Sequence, residues 1–117
     1  MKNISFSLTT EQFLNGTKTV TRRWGWKNLK PGTELRAVKR SMGLRRGEHP
    51  EVLGTIRVIS VRRERLDDIT LDDVRREGFP EMKHPMEFVL FFLGERPGGY
   101  TGASLVTVIT FERIDKP

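Results

Sequence analysis

The sequence predicts an α+β domain, a small mixed β-barrel of about five or six strands with two or three short helices inserted between them. Three observations predict it. Alternating apolar stretches recur at residues 4–8, 52–61 and 104–113. Short segments with helix start and stop signals stand between strands. No regular series of crossover helices separates the strands, as a doubly wound sheet would require. A chain of 117 residues fits one domain, 1–117, and one site.

Each element has a local cause. Ile4, Phe6 and Leu8 alternate with small polar residues, which predicts a first strand with those three inward. Thr9-Thr10-Glu11-Gln12 spells a capping box, with Thr9 accepting from the Gln12 amide while the Gln12 side chain reaches back. Phe13 and Leu14 supply the buried side of that helix, and Gly16 ends it in a left-handed conformation. Residues 17–23 are hydroxyl-rich and β-branched, as strands are. Thr19, Thr21 and Arg23 then share one face and Lys18, Val20 and Arg22 the other. Lys18 can meet Thr21 only if it still belongs to the turn after Gly16, or if a bulge re-aims one of them.

Residues 24–32, from Trp24-Gly25-Trp26 to Pro31-Gly32, read as a loop closing in a turn. Residues 34–40 form a strand with Leu35 and either Ala37 or Val38 inside. Residues 41–50 hold two glycines, a proline and two arginines, which predicts a mobile loop able to clamp a ligand. The clearest strand, 52–61, runs on through polar 62–65 to Leu66-Asp67-Asp68. Thr70 caps a second helix, Asp72 and Asp73 sit at its positive end and Gly78 closes it. Residues 86–93 form a core helix between Pro85 and Gly94, 96–102 a Gly-rich loop, and 104–113 the closing strand, with Leu105, Val106, Val108, Ile109 and Phe111 as its apolar residues.

Composition narrows the function. No apolar run reaches the roughly 18 residues of a membrane span. There is no cysteine and there are two separated histidines, so disulfide, thiolate and ordinary zinc chemistry are not expected. The N-terminus lacks the long apolar stretch of a secretory leader, and the expected location is the cytoplasm. The net charge of +6 is uneven: from Thr17 to Arg46 ten basic residues stand against Glu34 alone, while the rest carries 11 bases and 14 acids. Such a segment suits a phosphate or another anion, and Trp24 and Trp26 among the cations suit stacked bases. Lys39 and Arg40 continue the candidate ligand surface. A soluble surface that is merely basic remains open.

Lys18 and Thr21 form the first chemical candidate. A threonine hydroxyl attacks only if a base takes its proton, and a lysine can do so once burial or neighbouring cations depress its pKa. Arg22 and Arg23 are such neighbours. Glu77 is the second: at the last turn of its helix it meets the negative end of the dipole, which costs about 0.3–1 kcal/mol unless a cation such as Lys18 or Arg23 relieves it. Arg75 or Arg76 could equally satisfy it at the surface. His49 and His84, each before a proline, read as turn residues.

The ordered pieces Gly16-Thr17-Lys18-Thr19-Val20-Thr21-Arg22-Arg23, Lys30-Pro31-Gly32 and Arg76-Glu77-Gly78-Phe79 resemble the ASCH domain family, over most of the chain. The family is similar to PUA domains, which implies a compact β-barrel with a helix-lined cleft and an RNA or nucleotide ligand. Small bacterial members are amidohydrolases that remove the acyl group from N4-acetylcytidine. The resemblance implies Lys18 as base, Thr21 as nucleophile, Glu77 as acid/base and Arg23 as a ligand or carboxylate holder, with no metal or organic cofactor. The extra basic loop at 41–50 departs from those hydrolases and suits a polynucleotide. A non-catalytic RNA-binding module and a ribonuclease using the same cleft are the alternatives, and both a monomer and a weak dimer are open.

Overall fold

The computed structural model describes residues 1–40, 43–95 and 98–115. Five strands and three α-helices follow in the order β1 (Asn3–Ser5), α1 (Thr10–Leu14), β2 (Val20–Arg23), β3 (Glu34–Val38), β4 (Val52–Arg65), α2 (Leu71–Arg76), α3 (Pro85–Glu95) and β5 (Leu105–Arg113), with one 3₁₀ turn at Leu66–Asp68. Among the described residues they form one mixed sheet ordered β1-β3-β4-β5-β2, in which only the β1–β3 pair is parallel. The strand and helix numbers match the sequence expectation. The barrel, however, is open: β1 and β2 are the two edges of the ladder, and no ladder joins them. A side chain spans that gap instead, with the Arg23 guanidinium donating to the Ser5 carbonyl at 2.5 Å.

The local causes hold with several corrections, and the strands expected at 4–8, 17–23 and 34–40 are shorter, at Asn3–Ser5, Val20–Arg23 and Glu34–Val38. Thr9 does precede α1, but its side chain makes no cap bond and the capping box is not formed; Thr10 instead donates its hydroxyl to the Phe6 carbonyl at 2.8 Å. Thr70 caps α2 as expected, accepting from the Asp73 amide. Leu8, Leu14 and Leu105 point outward, because the chain turns at Ser7 before a second inward position is reached, α1 is only five residues long, and Leu105 stands at the first position of β5. Helix α3 runs from Pro85 through Gly94 to Glu95, and it buries Phe88 and Val89 while Met86 and Leu90 stay exposed. The loop expected at 41–50 begins at Ser41 and Met42, which lie outside the described residues.

Two apolar cores flank the sheet. One packs Phe6, Phe13, Leu35, Ile56, Ile109 and Phe111, with Trp26 against it. The other packs Val20, Leu66, Val74, Phe88, Val106 and Val108, with Trp24, Phe91 and Phe92 against it. Strand β5 serves both, since Val106 and Val108 face one core and Ile109 and Phe111 the other. Ala37 and Val38 are both buried, where one was expected, because the register of β3 against β4 shifts between them. The loop 24–26 therefore straddles the two cores, and a cleft opens there.

Candidate active site

The cleft is about 380 Å³ and is lined by Lys18, Thr21, Arg22, Arg23, Trp24, Trp26 and Glu77, with Phe6, Phe79, Phe88, Phe91 and Phe92 among its apolar walls. Lys18 reaches it because β2 begins only at Val20. Gly16, at φ 82°, ends α1, and the Lys18 and Thr19 amides then donate to the carbonyls of Gln12 and Arg76 at 3.0 and 2.8 Å. Lys18 thus remains in the connection, the first of the two arrangements that bring it to the Thr21 side. Gly78, at φ 107°, turns the chain out of α2; a Cβ there would stand 2.8 Å from Gln12 Cβ, so the ends of α1 and α2 touch only because glycine is present.

The Lys18 ammonium donates twice to one residue, to Glu77 Oε1 and to the Glu77 carbonyl, both at 2.8 Å. Both side chains are about 3% exposed, so the pair is withdrawn from water. Burial holds Lys18 below the usual lysine value; Glu77 opposes by charge and hydrogen bond, and Arg23 and Arg22 push it further down. Thr21 Oγ1 accepts from Arg23 Nε at 3.1 Å, both residues lying on one face of β2. Burial brings Arg23 down to about 10 against the pull of Glu77, which leaves it a cation at neutral pH. The Phe6 ring underlies both cations, 5.2 Å from Arg23 Cζ and 6.0 Å from Lys18 Nζ.

Arg22 was expected only as a neighbouring charge, and the structure makes it the organising cation. Its side chain is wholly buried, donating to Glu77 Oε2 at 3.3 Å, to Asp73 Oδ2 at 2.8 Å and to Glu64 Oε2 at 2.9 Å. Burial would lower Arg22, but Asp73, Glu77 and Glu64 together hold it above the ordinary arginine value. Arg62 and Arg76 close the network from outside by binding Asp73. Arg22, rather than Arg23, is the second partner of Glu77, and Arg75 and Arg76 pair with Asp72 and Asp73 instead. The signal that could have found Arg22 was its place on the face of β2 opposite Thr21 and Arg23, beside Val20.

Lys39 and Arg40 do not join this cleft. They line a separate cavity of about 470 Å³ with Leu44, Glu48 and His49, and Ser7 is the residue the two cavities share. The basic segment is correspondingly divided. Lys18 and Arg22 are buried and Arg23 half-buried in the cleft, while Lys27, Lys30, Arg36, Lys39, Arg40, Arg45 and Arg46 are exposed. Among the described residues no group of three His, Cys, Asp or Glu is arranged to hold a metal ion, and no helix is long and apolar enough to cross a membrane.

The fold, an open mixed sheet with a cleft between an edge strand and the helices, is similar to that of a solved ASCH domain. The chain aligns over 97% of its length with protein EF3133 from Enterococcus faecalis V583, of the DUF984 family, at TM-score 0.72 and 15% identity, covering 76% of that chain. The hypothetical protein PH0355 matches at TM-score 0.65 and 16% identity, over 97% of this chain and 96% of that one. An ASCH domain from Lactobacillus crispatus JV V101 matches at TM-score 0.59 and 13% identity, over 96% and 78%. No family model and no curated protein matches the sequence.

The lowered Lys18 pKa gives a direct expectation. Followed by NMR, the Lys18 amine titrates with a midpoint below 10.5, and in Glu77→Gln, which loses the charge that favours the ammonium, the midpoint falls further. A midpoint that rises in the variant would refute this account of the pair.

Proposed function

We propose that the protein is an amidohydrolase that removes the acyl group from N4-acetylcytidine-type nucleosides. The observation that carries the reading is the buried Lys18–Glu77 pair, 2.8 Å long, in the same cleft as a threonine hydroxyl already held by an arginine N–H. A hydroxyl that accepts from Arg23 Nε still has its own proton to give, and the accepted bond stabilises the alkoxide as it forms. Thr21 Oγ attacks the acyl carbon while neutral Lys18 takes its proton. The carbon–N4 bond then breaks, N4 takes the proton from Lys18, and cytidine leaves an acyl ester on Thr21. Water attacks the ester, Lys18 receives its proton and returns one to Thr21 Oγ, and the carboxylic acid departs. Glu77 Oε1 orients the amine through each transfer. The aromatic walls suit a planar base, and about 380 Å³ is within the range of small-molecule pockets.

The experiment is the ultraviolet spectrum of N4-acetylcytidine incubated with the protein, beside Thr21→Ala and Thr21→Ser. Conversion to cytidine by the parent, lost in the alanine form and partly kept in the serine form, is the expected outcome. Full turnover by Thr21→Ala would exclude the acyl-threonine route.

A second reading, a non-catalytic RNA-binding module, is favoured by one observation: the exposed Lys39 and Arg40 line a cavity that adjoins the cleft at Ser7. It predicts that log K for single-stranded RNA falls against log salt with a slope of about −0.7 per phosphate contacted. A parent that leaves N4-acetylcytidine intact but shows such a slope would favour this reading.

A further inference from the structure

We propose that Trp26, not Trp24, is the ring on which the planar base of the ligand lies, and that Thr107, with Arg63 behind it, is the positioning residue that holds it there. This rests on the pyrimidine nucleoside named above.

The two tryptophans stand differently in the cleft. Trp24 is already covered: Tyr100 stacks on it with centroids 4.0 Å apart and planes 13° from parallel, and Phe92 lies 5.1 Å away at 49°. Those neighbours make it part of the wall. Trp26 lines the same cleft and is half-buried, and among the described residues no aromatic ring stacks on it. Its contact is with the aliphatic and phenylalanine core on one side, and a ring with no stacked partner can offer a π-face to a flat base.

Its backbone points the same way. Among the described residues Trp26 is the one non-glycine with positive φ, at 54°. A bulky side chain in that region is strained, and such strain persists only where the surroundings hold it. The holding group is Thr107, whose hydroxyl donates to the carbonyl of Gly25, the residue between the tryptophans. Arg63 Nη1 donates to Thr107 Oγ1 at 2.7 Å, which commits the hydroxyl proton to Gly25. Thr107 is wholly buried between Val106 and Val108 on β5, where valine would pack as well and need no partner. A buried hydroxyl at that position therefore acts through the loop it binds. On the loop's far side the Leu29 amide donates to the Trp26 carbonyl at 3.3 Å.

The chain has two tryptophans, so fluorescence reports the site directly. Cytidine and N4-acetylcytidine are titrated into the parent, Trp26→Leu, Thr107→Val and Thr107→Ser. Both nucleosides should quench the parent; Trp26→Leu should lose the quench and bind roughly 5–150-fold more weakly, the value of one base–aromatic stack. Thr107→Val should bind at least about threefold more weakly, with its loss in turnover falling on KM more than on kcat, while Thr107→Ser, which keeps the hydroxyl, behaves like the parent. The proposal is overturned by any of three results: no quench in the parent, Trp26→Leu binding within about twofold of the parent by inhibition or KM, or Thr107→Ser as weak as Thr107→Val. Quenching without hydrolysis would leave Trp26 in place and remove the amidohydrolase reading. Hydrolysis with an unchanged KM in Trp26→Leu would do the reverse.

Discussion

On the proposed amidohydrolase reading, Lys18→Met is expected to lower the hydrolysis of N4-acetylcytidine by roughly 10²–10⁴-fold, the contribution of a positioned general base. Methionine keeps a linear apolar stem in the space the lysine stem fills. Glu77 is not stranded, because Arg22 still binds its other oxygen at 3.3 Å. The loss therefore appears in turnover with a smaller change in melting temperature. Lys18→Arg supplies the control: it keeps the positive charge beside Glu77, but a guanidinium does not release its proton near neutral pH. Turnover should fall as far in Lys18→Arg as in Lys18→Met. An arginine variant with near-parental rate would show that the charge matters and that proton removal lies elsewhere. The pH profile has a fixed sign. In the proposed mechanism the active amine is the neutral one, so the rate should rise with pH through the Lys18 midpoint, which burial holds below 10.5.

Arg22→Met is the second large effect, and it falls on stability. Methionine removes the one cation that Glu77, Asp73 and Glu64 share, at a wholly buried position, and leaves three carboxylates facing one another with, among the described residues, only Lys18, Arg62 and Arg76 at their outer sides. Removing one partner of a buried ion pair typically costs about 3–5 kcal/mol, because the charges left behind remain desolvated. For a domain of this size that is a drop of roughly 10 °C or more in melting temperature, and thermal or urea unfolding measures it. The pH dependence separates this cause from lost packing. Burial would raise Asp73, yet Arg22, Arg76 and Arg62 hold it below its ordinary 3.8. A carboxylate with a depressed folded pKa contributes stability above 3.8 that is lost as pH falls through the folded value. The gap between parent and Arg22→Met should accordingly narrow below pH 3.8. A gap that stays constant into acid would assign the loss to packing alone.

Arg22 also shows how far the sequence could be read. Its place with Val20, on the face opposite Thr21 and Arg23, was visible from two-residue periodicity, and so was the choice facing Lys18, turn or bulge. What the pattern did not hold was the partner list: Arg22 meets residues 42, 51 and 55 positions away. Those meetings depend on β2 pairing antiparallel with β5, on β4 running alongside, and on α2 ending above them. The capping box at Thr9 failed on a local competitor instead: the Phe6 carbonyl, four residues back, accepts the Thr10 hydroxyl, and Thr9 makes no side-chain cap bond.

By itself the sequence determined the elements and the ends that aim them. Periodicity marked β4 and β5, and the glycines at 16 and 78 stopped α1 and α2 because left-handed backbone suits them, which left Lys18 and Glu77 each beside a helix end. Only the tertiary structure decided which charges face one another, that Lys39 and Arg40 stand in a neighbouring cavity, and that Tyr100 covers one tryptophan and leaves the other open. It also left the sheet unclosed. The physical reason is that element formation follows from neighbours in the chain, whereas ion pairing, stacking and burial follow from register between strands far apart in it.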